Sequence, residues 1–373
     1  MIKTPLFEIC RPKQWKTISS KDLSDTGYPV YGANGIIGFH SEYNHESPTI
    51  LITCRGATCG TINVSLPYSY INGNAMALDD LDENKANINY ISYFLKHRGL
   101  TDVISGSAQP QITRESLQSV KIPLPSLEEQ RRIALILDQA DGLRQKRQQA
   151  IEKLDQLLQA TFIDMFGDPI LNTKNWPSDK KLGDIADIVS GITKGRKITG
   201  KSLREIPYLA VSNVQDKYLN LSVIKTIEAS DEEIERYKLQ QGDLLLTEGG
   251  DPDKLGRGTL WNNEVDECIH QNHVFRVRLT SKDFTPNYLN WIVGSEYGKR
   301  YFLKSAKQTT GIASINMGQL KKLPLLIPPL DLQIQFDERC NKFHQIKKQL
   351  VESYKDINNL FKSLQNQAFS GNL

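Results

Sequence analysis

The side chains best placed to recognise a partner sit in short loops rich in glycine. Arg55-Gly56-Ala57-Thr58 follows the apolar run Ile50-Leu51-Ile52-Thr53 and sets one guanidinium beside a glycine. Tyr31-Gly32-Ala33-Asn34-Gly35 allows close backbone approach, and Asn72, Asn74, Gln109, Gln111 and Arg114 add amides and a second cation. Further on, Lys194-Gly195-Arg196-Lys197 is a compact basic loop. Lys254 and Arg257 flank Gly256 and Gly258, and His270-Gln271-Asn272-His273 and Thr309-Thr310 supply polar clusters. An arginine fork matches the acceptors of guanine, Asn and Gln amides match adenine, and lysine suits a phosphate. These residues form the candidate set for nucleic-acid contact.

Catalytic motifs are missing from the same sequence. Gly195-Arg196-Lys197-Ile198-Thr199-Gly200-Lys201-Ser202 satisfies the spacing of a phosphate-binding loop. Such a loop must open into a helix whose N-terminus faces the phosphates. Here Pro207 arrives too soon, and Tyr208-Leu209-Ala210-Val211 reads as a strand. A nucleotide-binding enzyme built on 195–202 is therefore the alternative of another class. The base-flipping methyltransferase tetrapeptide, HExxH and GxSxG are absent. His270 and His273 lack a third ligand at useful spacing, so no metal site is expected.

The elements that carry these loops are repeated. Shifting the second half back by 203 residues lays Leu124-Pro125-Ser126-Leu127-Glu128-Glu129-Gln130 on Ile327-Pro328-Pro329-Leu330-Asp331-Leu332-Gln333. The same register matches Ile112 to Ile315, Leu117 to Leu320, Leu157 to Leu360 and Phe166 to Phe369. Each copy continues as a long helix with apolar residues at steps alternating four and three, the heptad pattern. The first seam reads Ile133, Leu137, Ala140, Arg144, Arg147, Ile151, Leu154, Leu158, Thr161 and Met165. The second reads Phe336, Cys340, Phe343, Lys347, Leu350, Tyr354, Ile357, Phe361, Leu364 and Ala368. Arg144 and Lys347 share one seam position, from which a long cation can snorkel. Two heptad helices of equal length are best explained by pairing with each other.

Ser126 and Glu129 have capping-box spacing, Gly167 suits a helix end, and Pro328-Pro329 sit where proline is tolerated before a helix. The organisation expected is a first recognition domain over 1–125, a helix over 126–166, a second domain over 167–326 and a helix over 327–373. The two domains read as α+β, of mixed α/β content. A weaker echo at offset 198 relates Gly60-Thr61 to Gly258-Thr259, Ile71 to Ile269 and Asn74 to Asn272.

Composition narrows the class. The net charge of +3 is too small to announce nucleic-acid binding alone, so the cations must be placed locally. Five cysteines without a paired spacing argue against a disulfide framework and fit a reducing cytoplasm. The N-terminal residues lack a signal-peptide core, and no apolar run nears the ~18 residues of a membrane span.

Two variable domains, each followed by a long helix entered through a P-x-L-x-x-Q turn, resemble the specificity subunits of Type I restriction-modification systems. Ile122-Pro123-Leu124-Pro125-Ser126-Leu127-Glu128-Glu129-Gln130 is similar to that family's entry into its helix. Phe166-Gly167-Asp168 and Ala368-Phe369-Ser370-Gly371-Asn372-Leu373 are similar to its helix ends. The second turn departs from the pattern, with Leu332 where the first copy has Glu129.

The resemblance implies an antiparallel coiled-coil spacer with an internal pseudo-twofold repeat, each domain reading half of a split, asymmetric DNA site. It implies a non-catalytic subunit, with no membrane role, on which two methyltransferase subunits dock. Restriction and translocase subunits would join through them. S-adenosylmethionine, ATP and magnesium would reside on those partners, with no cofactor on this chain. A helix of ~40 residues would be about 60 Å long, enough to span a turn or more of DNA. A specificity module of a related Type II system has the same chemistry and different partners.

Overall fold

The computed structural model describes residues 3–106, 109–196, 202–251, 254–309 and 312–373. It divides into two units. One comprises Met1–Ala150 with Leu350–Leu373, the other Ile151–Gln349. Each long helix, Leu127–Phe166 and Leu330–Ser370, therefore contributes to both. The sequence-based boundaries kept the helices apart from the domains. The contacts instead place a stretch of both helices within each sheet-built unit.

The first unit is built on a four-stranded antiparallel sheet in the order Arg11–Gln14, Ala75–Asp79, Ile50–Thr53, Ile62–Val64. Ile50–Thr53 is buried along its whole length, which explains its unbroken apolar run. A second sheet orders Gly35–His40, Tyr28–Gly32 and Tyr70–Ile71, the last pair parallel. Helix Ile88–Arg98 starts on an Asn87 cap and buries Tyr90, Ile91, Phe94 and Leu95. These residues share one core with Ile133, Leu137, Phe361 and Ala368 of the long helices.

The second unit repeats the plan. Its four-stranded sheet orders Ala186–Ser190, Val274–Leu279, Leu244–Thr247, Gly258–Leu260, and its three-stranded sheet Lys225–Ala229, Arg204–Leu209, Ile269–His270. Helix Pro286–Gly294 takes the place of Ile88–Arg98. The strand forecast at Tyr208–Val211 runs instead from Arg204 to Leu209, and Val211 lies in the turn beyond it. Helices Asp231–Tyr237 and Glu296–Ser305 have no counterpart among the described residues of the first unit. A small sheet of Gly249–Gly250, Ile312–Ser314 and Lys307–Thr309 extends what the first unit makes as isolated bridges of Arg55 and Ser105 with Gln111.

The echo at offset 198 is corrected by the register. Thr53 and Thr247 both end the central strand, and their amides bond the carbonyls of Thr61 and Arg257. Cys54 and Glu248, one residue on, bond the carbonyls of Asn74 and His273. Thr61 thus corresponds to Arg257 and Asn74 to His273. No single offset relates the two regions because their turns differ in length.

Gln130 and Gln333 explain the repeated turn. Both are fully buried. Gln130 Oε1 accepts from the Asn87 amide at 2.9 Å, and its Nε2 donates to the carbonyls of Lys85 and Pro125 at 2.8 and 3.0 Å. Gln333 does the same with the Thr285 amide and the Asp283 and Pro328 carbonyls at 3.0, 2.9 and 2.9 Å. Each side chain satisfies three backbone groups where a long helix begins against its domain. Ser126 accepts from the Glu129 amide at 3.3 Å, but the Glu129 carboxylate turns to Arg132, so only half of the capping box forms. Gly167, at φ 78°, closes the first helix by donating to the Ile163 carbonyl.

The helices run antiparallel within each unit. In the first, Arg132 reaches the Leu373 carbonyl and Arg144 reaches Asn358. In the second, Lys347 pairs with Asp155 and Phe336 packs on Phe162 and Phe166. Of the proposed seam, Ile133, Leu137, Leu158, Phe336 and Phe361 are buried. Ala140, Ile151, Leu154, Phe343, Leu350 and Ile357 are half-buried.

Candidate nucleic-acid interface

Each central strand ends where its loops converge. In the first unit, Thr53 Oγ1 donates to the Ala33 carbonyl, tying the hairpin tip at Asn34 to the strand end. Cys54 accepts from the Ile112 amide at 2.9 Å, and the Gly56 amide donates to the Pro110 carbonyl at 3.2 Å. Arg55 stands opposite Gln111 in an isolated bridge. The fold thereby brings Asn34, Arg55, Thr58, Asn74, Gln109 and Gln111 to one end of the sheet, all of them exposed. Arg114 is exposed too, its guanidinium 5.7 Å from the Phe7 ring centre. Ile36 and Ile37, exposed beside the hairpin tip, were not among the candidates. Two adjacent isoleucines between Gly35 and Gly38 read as strand interior in the sequence, whereas the exposed tip can contact a thymine methyl.

Asn72 leaves the candidate set. Its side chain is buried, donating to the Ile18 carbonyl at 3.3 Å and accepting from the Gly73 amide at 2.8 Å. It fixes the turn before Ala75–Asp79 and has no face for a partner. Cys54 is sealed as well, and burial pushes its thiol up to about 11.

The second unit treats its candidates differently. Lys194 is exposed in its turn, but Arg196 is held in a two-bonded pair with Glu233, at 2.6 and 2.7 Å, and on the Glu228 carbonyl. That carboxylate holds the guanidinium above its ordinary pKa. Arg196 therefore docks the loop on helix Asp231–Tyr237, a correction to its reading as a phosphate contact. Lys197 lies outside the described residues, as does most of the phosphate-loop pattern. The element after that pattern is the strand Arg204–Leu209, not a helix. Lys254 pairs with Asp251. Arg257 is half-buried with its Nε unpaired.

His270 is also corrected. It is fully buried, Nδ1 donates to the Val274 carbonyl at 2.8 Å, and burial pushes its pKa down to about 4. A buried neutral imidazole of this kind is a core residue. Gln271 and Asn272 are half-buried in the next turn, where the Asn272 amide bonds the Ile192 carbonyl. Thr309 ends a strand paired with Ile312–Ser314, and Thr310 lies outside the described residues.

Two residues gain prominence. Glu248 is half-buried at the end of the central strand, and its Oε2 accepts from His273 Nδ1 at 2.7 Å. Asn272 Nδ2 stands 3.3 Å from His273 Nε2. Donation from that amide leaves the proton on Nδ1, so the ring turns it toward the carboxylate. Aligning the ends of the two apolar strands, rather than a fixed offset, would have found Glu248. Among the described residues no group of three or more His, Cys, Asp or Glu could hold a metal, all five cysteines are free, and no helix is long and apolar enough to cross a membrane.

The chain is similar to the Type I restriction enzyme StySPI specificity subunit of Salmonella potsdam, 26% identical over 305 residues, 76% of this chain and 65% of that protein. It is likewise 26% identical over 308 residues to the EcoKI specificity subunit of Escherichia coli K12, again covering 76% and 65%. The chain thus spans about two thirds of the length of these relatives, falling just short of it. A crystal structure of the Type-I restriction-modification system S subunit from M. genitalium shares the fold, with a TM-score of 0.61 at 14% identity, over 99% of this chain and 96% of that one. The family model for the Type I restriction modification DNA specificity domain matches twice, over 4–153 and 174–353. Those two matches take in both sheet-built units, and the chain belongs to the Type I restriction modification DNA specificity domain family.

Proposed function

We propose that this chain is the DNA-reading subunit of a Type I restriction-modification enzyme, each unit reading one half of a split site. The observation that carries the reading is the repeated scaffold. Two units with the same strand order present different exposed side chains at equivalent strand ends. A scaffold copied in its strand order and varied at its loop ends suits independent reading of two sequences.

The reading extends to partners. Leu135, Leu143, Leu157 and Leu360 lie more than half exposed on the long helices, which supports docking by methyltransferase subunits, with restriction subunits joined through them. S-adenosylmethionine, ATP and magnesium belong to those partners in this account, and this chain contributes recognition without catalysis in the cytoplasm. Among the exposed cations of the candidate set, Arg55 has the chemistry for guanine and Lys194 that for phosphate.

Mapping methylated sites in cells that carry the chain with its methyltransferase tests the proposal. Replacing residues 1–120 by the equivalent region of a relative should change one half of the methylated sequence and leave the other intact. Inserting whole heptads near Leu154 should alter only the gap between the halves. Loss of both halves on the swap would show the units to be coupled and end the modular account.

A further inference from the structure

We infer that the two units read opposite hydrogen-bonding chemistry from adjacent positions of the same strand end: Arg55 selects a guanine in one half-site, and Glu248 selects a cytosine in the other. The inference rests on the DNA-reading proposal and goes beyond it, since it assigns residues and bases.

Backbone register makes the comparison rigorous. The amides of Cys54 and Glu248 bond the carbonyls of Asn74 and His273, and their own carbonyls accept from Ile112 and Ile315 at 2.9 Å. Cys54 and Glu248 are thus the same position in the two units. Arg55 and Gly249 are the next, opposite Gln111 and Ser314. At this pair of positions the first unit has a buried thiol and then an exposed guanidinium. The second has a carboxylate and then a glycine.

The guanidinium of Arg55 has no ion pair among the described residues, and neither Asn74 nor Gln111 carries charge. This end of the first unit therefore offers donors in a fork, the complement of guanine O6 and N7. In the second unit His273 occupies one oxygen of Glu248 and orients the carboxylate. Its other oxygen remains an acceptor for an amino donor, and the cytosine N4 group is the base edge that a carboxylate accepts from. A carboxylate near phosphates is repelled unless a base donor meets it, so Glu248 also discriminates against bases that present only acceptors there.

The test is selection of bound duplexes from a library randomised in both halves, using the full chain with its methyltransferase subunits. The wild-type chain should enrich a bipartite sequence with a guanine in one half and a cytosine in the other. Arg55→Ala should lower the preference for that guanine about tenfold or more and leave the cytosine half unchanged. Glu248→Gln, which keeps the shape and adds a donor, should relax only the cytosine. Arg55→Lys, which keeps the charge but loses the planar fork, should weaken the guanine preference less than Arg55→Ala does. Circular dichroism melting of each variant separates folding from reading. If the wild-type chain enriches no bipartite sequence, the DNA-reading proposal itself fails. If it enriches one and the folded variants enrich the same one, that proposal stands and this assignment is overturned.

Discussion

Ile71 in the first unit and His270 in the second occupy the same place in the same sheet. Each pairs in parallel with the strand beside it, Ile71 with Tyr31 and His270 with Leu209, and both are fully buried. One is an aliphatic side chain, the other an imidazole with an unpaired Nε2. The scaffold tolerates this difference because the ladder bonds come from the backbone, and the side chain needs only to fill the space. Gln130 and Gln333 behave oppositely. There the side chain itself makes the bonds, and both copies have the same residue. Interior positions can vary where the backbone is self-sufficient and are held where a side chain completes it.

The largest expected effect tests the aromatic core of each unit. Phe336 is fully buried, with ring centres of Phe162, Phe166 and Trp291 at 5.5, 5.3 and 5.9 Å. Phe361 in the other unit is slightly exposed, 6.3 Å from Tyr93 and under the Arg144 guanidinium at 5.0 Å. Phe336→Ala should cost about 4 kcal/mol and Phe361→Ala nearer 3 kcal/mol in denaturant unfolding. The losses of hydrogen-exchange protection should centre on the second and first units respectively. Equal losses in both units from either change would show that the units do not unfold as described.

Gln130→Ala and Gln333→Ala come next. Each leaves one amide and two carbonyls unpaired in a buried turn. We expect about 3 kcal/mol apiece, with lost exchange protection at Asn87 in one case and Thr285 in the other. A change below about 1 kcal/mol would mean that water replaces the amide, and the turn's repeated glutamine would need another explanation.

Much of this plan was legible beforehand. Heptad spacing marked the seam because a helix buries every third or fourth residue whatever it packs on. The repeated turn was visible because Pro125, Leu127 and Gln130 are each held by local geometry. The site is less legible. Asn72, Arg196 and His270 have the right chemistry for DNA, but sequence does not say whether a polar group is spent internally. Glu248 is hidden in the sequence because turns of unequal length break any constant offset.

A pH experiment sharpens the comparison between Ile71 and His270. Burial holds the His270 pKa at about 4, below the ordinary value of 6.5. The unfolded chain therefore takes up a proton near pH 6.5 that the folded chain refuses until about 4. Its contribution is fully present above pH 6.5 and is lost as the pH falls toward 4, amounting to about 2 kcal/mol by pH 5. His270→Ile, which installs the first unit's residue, should flatten this part of the stability curve between pH 6.5 and 5. An unaltered slope would show that other groups carry the acid sensitivity.

The smallest effect concerns the two cations at matched seam positions. Arg144 bonds Asp141 on its own helix at 2.6 and 2.9 Å, reaches Asn358 across the pair and lies over the Phe361 ring. Lys347 instead crosses to Asp155, with its Nζ 2.6 and 2.7 Å from the two carboxylate oxygens. The Lys347 pair is open to water, with 38% and 55% of the two side chains exposed, so screening leaves it little net energy. Arg144 adds ring contact and packing of its stem, which salt does not screen. Lys347→Met should therefore change stability by less than about 0.5 kcal/mol, and Arg144→Met should cost about 1 kcal/mol. Raising the salt should erase the effect at Lys347 and leave most of the effect at Arg144. If both substitutions cost the same and respond alike to salt, the arginine acts only as a charge, and stacking on Phe361 contributes nothing to the seam.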